Sequence, residues 1–323
     1  MAIIPGKPSS DAQMLITVAI CTLNHAESLR RTLESLAAMR LPDDLDWEVV
    51  VVNNGCTDHT DEIIRTADRL PIRREFEPQR GLSRARNRAV DAAKGDYIVW
   101  TDDDVIVDPG WLAAYADAFR RWPEAAVFGG KILERFAIPV PKWLAGNEAF
   151  KGFTARDFGD EVLPLSIPKR RLPFGPNFST RAAEQRAFRY NPELGHAPGQ
   201  WRRGEETDVI ERVLQSGATG YWVPQALVEH CDTHEQQTLR YFAGFFATFG
   251  EAEAVRSDSL VAPGPVWFNA PRWMWRRLID QGMRFCIHRP ISPASVWLPH
   301  LRECAIIWGK IRYWRSQATR SRC

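Results

Sequence analysis

The 323-residue sequence predicts an α/β fold: a mostly parallel sheet flanked by helices, followed by a basic helical C-terminal extension. Three observations carry this expectation. Short apolar runs alternate with amphipathic helical stretches from residue 15 to about residue 122. Three of those runs end in a polar cluster: Thr22, Asn53–Asn54 and Asp102–Asp104. The last stretch, Trp267 to Cys323, changes composition, with 11 Lys+Arg against 2 acids and 6 of the 13 Trp.

The elements follow in order. "LITVAIC" (15–21) is a buried-strand run, and Asn24 is placed to cap a helix carrying Leu29, Leu33 and Leu36 on one face. "WEVVVV" (47–52) is a second strand, broken by "NNG", after which Asp58 opens a helix through Ile63 and Ile64. "PIRREF" (71–76) is a weak strand. Gly81 and Ser83 precede the helix "RARNRAVDAA", which Gly95 ends. "YIVW" (97–100) is the next strand, and Asp108 with Pro109 starts the helix "GWLAAYADAFRRW". Right-handed crossovers put both faces of such a sheet under helices, and ligands sit beyond the carboxyl ends of the strands. Thr22, Asn53–Asn54 and Asp102–Asp104 therefore share one rim. From 135 to 178 the Pro, Gly and aromatic content reads as long loops. A helix returns at 205–215 with Val209, Ile210, Val213 and Leu214 on one face, and "TGYWVP" and "ALVEH" read as two short strands.

Composition bounds the function. Hydrophobic content of 45% and charged content of 25% are ordinary for a globular chain, and a net charge of +2 gives no reason to expect nucleic acid. Six cysteines without a CxxC pair argue against a disulfide framework and fit a reducing compartment. "MAIIPGKPSSDAQ" lacks the pattern of a signal peptide, and no apolar run reaches the roughly 18 residues of a spanning helix. The basic, Trp-rich end suits an anionic membrane surface, with aromatics at headgroup depth and cations toward lipid phosphate. A Trp-lined core or an oligomer contact is the alternative.

The acidic triplet poses the chemical question. Two carboxylates about 4 Å apart repel by roughly 4 kcal/mol at an effective dielectric near 20, so they need a cation, a proton or open water. In an extended segment Asp102 and Asp104 point the same way, which suits Mg²⁺ or Mn²⁺ with phosphate and water completing the shell. Solvated acids capping the next helix are the alternative. Asn53 and Asn54 can read a base edge or simply build a turn. Arg86 suits phosphate, while Arg84 and Arg88 read as a solvated helix face. Glu205, Glu206 and Asp208 offer a proton-accepting carboxylate, or acids favoured by a helix N-terminus. His230, Cys231, Asp232 and His234 are too crowded along the chain to form one zinc site.

"ITVAICTLNHAESLRRTLESL", "VVVNNGCTDHT", "GLSRARNRAVDAAKGDYIVWTDDDVIVDPGWL" and "GEETDVIERVLQSG" together resemble glycosyltransferase family 2, whose fold is called GT-A, over about residues 15–235. The resemblance implies inverting transfer from a nucleotide-sugar, a UDP-sugar foremost, to a glycan or lipid-linked acceptor of surface polysaccharide or glycolipid. It implies a divalent metal, Mn²⁺ or Mg²⁺, on Asp102 and Asp104, with His230 as a further ligand. It implies donor contacts at Thr22, Asn24, Asn53, Asn54, Asp58, Arg86, Asn87, Asp102 and Asp103. Glu206 takes the position of the base, with Glu205 as substitute and Asp208 as supporting acid. Gly175 and Asn177 in "PFGPNFSTR" fall on the acceptor side. One departure stands out: the family commonly has an Asp in the turn where this chain has Asn53 and Asn54. The implied division is an N-terminal tail (1–14), a nucleotide-sugar half (15–134), an acceptor half (135–235) and a helical region (236–323), working at the cytoplasmic inner face of the membrane. A nucleotidyltransferase would carry a Gly-rich basic loop near its start, which "VAICTLNHAESL" lacks. A degenerate, membrane-bound scaffold would not need the intact acids.

Overall fold

A computed structural model describes residues 14–136, 138–144, 155–198, 200–232, 235–257 and 265–320. The chain forms two compact units. The first takes the described residues of Met1–Arg135, Thr154–Pro192 and Glu205–Cys231, and the second those of Phe136–Phe153, Glu193–Gly204 and Asp232–Cys323. The described residues of 136–153 and 193–204 fall in the second unit, so the two units interleave along the chain.

The first unit begins β1 (Leu15–Thr22), α1 (Ala26–Ala37), β2 (Asp46–Asn53), α2 (Thr60–Thr66), β3 (Ile72–Phe76), α3 (Leu82–Ala92) and β4 (Tyr97–Trp100). It continues with β5 (Val105–Val107), α4 (Trp111–Arg121), β6 (Ala125–Phe136), β7 (Leu163–Pro164), β8 (Phe178–Arg181) and α5 (Ala182–Ala187). The short strands β9 (His196–Ala197) and β10 (Gln200–Trp201) lie in the second unit, before α6 (Glu205–Gln215) and β11 (Thr219–Asp232). The sheet order is β3-β2-β1-β4-β8-β6-β11-β5, with β7 also on β11. The four strands β3, β2, β1 and β4 are parallel, as the alternation predicts. Beyond β4 the sheet turns antiparallel, with β8 against β4 and β6, and β5 and β7 against β11. Antiparallel neighbours need no crossover helix, so the loop-rich sequence after 135 hides them. β11 is one strand where two were expected. Pro224 falls between its ladder to β7 at Tyr221–Trp222 and its ladder to β5 at Val228–His230, where a missing N–H breaks neither.

The unbroken apolar runs are explained by burial on both faces. Ile16, Val18, Ile20, Val49 and Val51 pack with Leu29 and Leu33 of α1 and Trp111 and Tyr115 of α4. The alternate residues Ala19, Val50 and Val52 pack with Ala85 and Ala89 of α3 and Val209 and Ile210 of α6.

The second unit adds α7 (Leu239–Ser257), a hairpin of β12 (Val266–Trp267) and β13 (Ala270–Pro271), α8 (Arg272–His288) and α9 (Ala294–Arg320). α7 and α9 touch backbone to backbone. A Cβ on Gly250 would lie 2.0 Å from the Ile306 carbonyl oxygen, and one on Gly309 would lie 1.9 Å from that of Ala247. Ion pairs Arg312–Glu251 and Lys310–Glu253 (2.7 Å) flank the crossing. Met274 of α8 is buried with Ile307 and Ile311 of α9. Among the described residues no helix is long and apolar enough to cross a membrane.

Candidate active site

The site forms where β1, β2 and β4 end. After β1, Thr22 is buried with its hydroxyl lacking a hydrogen-bond partner. Asn24 does not cap α1: it adopts φ 58° and its Oδ1 accepts the Thr57 N–H at 2.7 Å. The Ala26 N–H instead donates to Asp58 Oδ2 at 3.1 Å, so the β2–α2 loop caps α1 from outside. Asp58 also accepts the Thr60 N–H at 3.2 Å, which fits its expected place at the start of α2.

The two asparagines after β2 turn inward. Asn53 Oδ1 accepts the N–H groups of Gly55 (2.9 Å) and Cys56 (2.8 Å), and its amide donates to Asp61 at 2.6 Å. Asn54 donates to the carbonyls of Glu77 (2.9 Å) and Gln79 (3.0 Å) and accepts the Gly81 N–H at 2.7 Å. The turn reading prevails here: Asn54 has spent both amide hydrogens on stapling the loop before α3.

On α3, Arg84 and Arg88 are exposed, and Arg88 pairs with Glu75 at 2.7 Å. Arg86 is 3% exposed and sits among three rings, Trp100 (5.3 Å), Tyr190 (5.5 Å) and Phe178 (5.7 Å). Its Nη2 reaches Asp102 at 3.4 Å, and its Nε stands 3.6 Å from Glu205. Burial opposes its charge, but Tyr190, Glu205, Asp102 and Glu206 outweigh that and hold it protonated. Nε and Nη1 still lack hydrogen-bond partners, an unusual state for buried donors and one that suits an anionic ligand. Asn87, expected beside it, is committed elsewhere: it bridges the Tyr190 backbone with two bonds of 2.9 Å. Its part is to hold one ring of the box around Arg86.

The acid triplet diverges. Burial first, then Asp104, push the Asp102 carboxyl up from its ordinary range, against the pull of Arg86. Asp103 points to His25, 3.2 Å away, and that bond drives the His25 pKa up to about 9. Asp104 faces His230 Nε2 at 3.5 Å. That meeting depends on β5, a three-residue strand whose Val105 pairs with His230 of β11. Among the described residues no group of three or more His, Cys, Asp and Glu is arranged to hold a metal by itself. The oxygen and imidazole donors of Asp102, Asp104 and His230 fit an ion that takes its remaining ligands from phosphate and water. Cys231 is a free thiol, and His234 lies outside the described residues.

At the start of α6, Glu205 and Glu206 are both buried. Burial and then Glu206 raise the Glu205 pKa to about 8, with Arg86 opposing. Asp208 is a turn further on and pairs with Arg212 at 2.7 Å. Gly175 joins the parts. A Cβ there would stand 3.3 Å from Arg86 Nη2, 3.8 Å from the Glu206 carboxyl carbon and 3.9 Å from Asp102 Oδ2.

The sequence model of Glycosyl transferase family 2 matches residues 17–177. This chain belongs to glycosyl transferase family 2. It is 26% identical to the succinoglycan biosynthesis protein ExoM of Rhizobium meliloti over 233 residues, 71% of this chain and 70% of that protein. It is 26% identical to the pre-mycofactocin glycosyltransferase of Mycobacterium tuberculosis over 80% of this chain, and spans only 52% of that relative's length. Its fold matches the mannosyltransferase PcManGT of Pyrobaculum calidifontis, solved with GDP-Man and Mn²⁺, with a TM-score of 0.56, 14% identity, and coverage of 93% of this chain and 88% of that one. The fold is GT-A, as the resemblance implied.

Two further residues of this family 2 chain, Asn177 and Arg156, differ from the sequence reading. Asn177 does not line an acceptor site. It is fully buried, accepts Trp111 Nε1 (2.9 Å) and the Tyr115 hydroxyl (2.8 Å), and donates to the carbonyls of Lys131 (2.9 Å) and Ala226 (2.7 Å). All four of its hydrogen-bonding positions are occupied in the core. Arg156 was not anticipated. Its guanidinium lies over Phe174 at 4.8 Å, its Nε is buried without a partner, and Glu206 is the charge that opposes its desolvation. A lone arginine in a loop-like stretch gave no sequence signal. The same holds for the aromatic box, whose rings lie far apart in the chain.

Proposed function

We propose that this glycosyltransferase moves a sugar, with inversion, from a nucleotide-sugar to a hydroxyl of a glycan or lipid-linked acceptor in surface polysaccharide or glycolipid synthesis. The observation that carries the reading is the gathering of Arg86, Asp102 and Glu206 around Gly175. It sets a carboxylate beside a buried cation that has donors to spare for a diphosphate. In this reading Glu206 takes the proton of the acceptor hydroxyl, Arg86 grips the departing phosphates, and the absence of a side chain at Gly175 keeps the two in reach of each other. Burial and Glu206 raise the Glu205 pKa against the pull of Arg86, which lessens the negative charge that Glu205 turns toward the diphosphate. Mn²⁺ or Mg²⁺ held by Asp102, Asp104 and His230 would supply Lewis-acid stabilisation of the leaving group. PcManGT's pairing of GDP-Man with Mn²⁺ supports a metal-assisted nucleotide-sugar site. ExoM's role in succinoglycan biosynthesis supports a polysaccharide product. The basic, Trp-rich residues after 266 support peripheral attachment at an anionic inner membrane face.

The test is a thermal-shift panel of UDP, GDP, dTDP and CMP, each with Mn²⁺ and with EDTA. One nucleotide should raise the melting temperature, and the rise should vanish with EDTA and in Asp104→Ala. A chain stabilised by none of the four, or equally well by one of them with EDTA, overturns the metal-dependent reading.

A further inference from the structure

We infer that the open face of α8 and the tip of the β12–β13 hairpin form the docking surface for an anionic lipid membrane, an assignment that rests on the peripheral attachment proposed above and names its face. α8 has two unlike sides. One buries Met274 against α9. The other exposes Trp273, Ile279, Met283 and Ile287, with Ile291 just past the helix. At 3.6 residues per turn these side chains form one stripe. Contiguous large apolar groups of this kind rarely face water without a partner.

Cations accompany the stripe. Arg276, Arg277, Arg284 and Arg289 are all exposed. Arg277 pairs with Glu303 at 3.2 Å and Arg284 with Asp280 at 3.1 Å. Arg276 and Arg289 have no acidic partner among the described residues. Apolar side chains flanked by arginines match an interface of acyl chains beneath phosphate headgroups.

The hairpin supplies an independent observation. Its two turn residues, Phe268 and Asn269, have φ of 45° and 62°. Two-residue turns of this kind favour Asn, Asp or Gly at both places, and a bulky residue at positive φ is strained. The chain nevertheless displays Phe268 there, 78% exposed. The tip is braced on α8: Trp275 Nε1 donates to the Trp267 carbonyl at 2.8 Å, and the Phe268 ring meets the Trp275 ring edge-on at 5.9 Å. An aromatic held out at the expense of backbone strain fits insertion at headgroup depth better than packing. A second copy of this chain is the poorer occupant. A two-fold contact would set the arginines of one stripe against those of the other.

The experiment is co-sedimentation of the full chain with vesicles of phosphatidylcholine, with and without phosphatidylglycerol. The full chain should pellet with the anionic vesicles. Release should increase with salt, since the Debye length falls from about 10 Å at 0.1 M to about 3 Å at 1 M. Arg276→Gln should weaken anionic partitioning by about fivefold. Phe268→Asn should weaken binding while keeping or raising the melting temperature, because Asn tolerates the left-handed turn. A purely structural Phe268 would give the opposite pattern, destabilisation with binding kept. The assignment is overturned if the chain ignores anionic vesicles, if both variants bind like the parent, or if the substitutions dissolve a dimer instead. The nucleotide shift needs no vesicle, so a normal shift with lost vesicle binding condemns this face alone. The converse result condemns the sugar-transfer reading alone.

Discussion

Arginine is used in opposite ways by the two units. In the sheet unit Arg86 is buried among three rings with two donors unsatisfied, beside Asp102 and Glu205. In the helical unit Arg276 and Arg289 stand in water beside exposed aliphatic side chains. A buried cation needs a matched anion close by, so it specifies a small ligand. Exposed cations beside apolar groups are individually weak and act in number, so they specify a surface. Point substitutions should therefore act sharply in the first unit and gradually in the second.

The largest expected effect lies in the sheet unit. Glu206→Gln preserves shape and removes basicity, so turnover should fall by about 10²–10⁴-fold while the nucleotide-induced thermal shift persists. Near-normal turnover would move the role to Glu205 or Asp208. It would also break the comparison, because one buried carboxylate would no longer be decisive.

Next in size is Asn177→Ala. The substitution strands Trp111 Nε1 and the Tyr115 hydroxyl without an acceptor, and the Lys131 and Ala226 carbonyls without a donor. Each unsatisfied buried group costs about 1–3 kcal/mol, so stability should fall by at least about 3 kcal/mol in a urea titration. Unchanged stability with a raised acceptor KM would restore Asn177 to the acceptor side, where the sequence reading had it.

Asn177 shows where sequence legibility stops. β1, β2 and β4 were readable because two-sided burial leaves a continuous apolar run. The acids after β4 were readable because they end such a run. An asparagine, however, looks the same whether it faces a ligand, as expected of Asn53, Asn54 and Asn177, or satisfies its own backbone and core. Partners decide, and partners such as Ala226 are 49 residues distant. The pairing of β5 with β11 is of the same kind. Three residues carry no periodicity, yet their register brings His230 to Asp104. The expectation for His230 came from resemblance, and only the register gives it a physical cause.

Gly309→Ala moves the test to the helical unit. The new Cβ would sit 1.9 Å from the Ala247 carbonyl oxygen, so α7 and α9 must separate. Overpacking of this kind costs about 1–3 kcal/mol. The melting temperature should drop while Glu206, Arg86 and the nucleotide shift stay as in the parent. Loss of nucleotide binding in this variant would show that the units do not divide the work as their arginines suggest.

The smallest effects near neutrality come from pH, and they differ in sign between buried groups of the two units. In the sheet unit His25 is raised from 6.5 to about 9, chiefly by its bond to Asp103. A raised pKa means stability fully present below pH 6.5 and lost as pH rises through about 9. Glu205, raised from 4.5 to about 8 by burial and Glu206, also loses its contribution with rising pH, between about 4.5 and 8. In the helical unit His196 is lowered from 6.5 to about 3 by burial and by Arg203. Its contribution is present above pH 6.5 and is lost as pH falls toward 3. Alkali should thus weaken the contributions of His25 and Glu205, and acid that of His196, alongside the carboxylates of the sheet unit held below their ordinary range, such as Asp61 by Arg74. The His25–Asp103 pair is more than half exposed on the histidine side, so solvent holds its share to about 0.2–1 kcal/mol. Melting temperatures in EDTA from pH 4 to 10 check this. His25→Gln should flatten the profile above pH 6.5, Glu205→Gln below pH 8, and His196→Gln only on the acid side. If His196→Gln instead changes the alkaline limb, the two units do not titrate separately. The assignment of opposite electrostatic characters to them then fails at its most sensitive point.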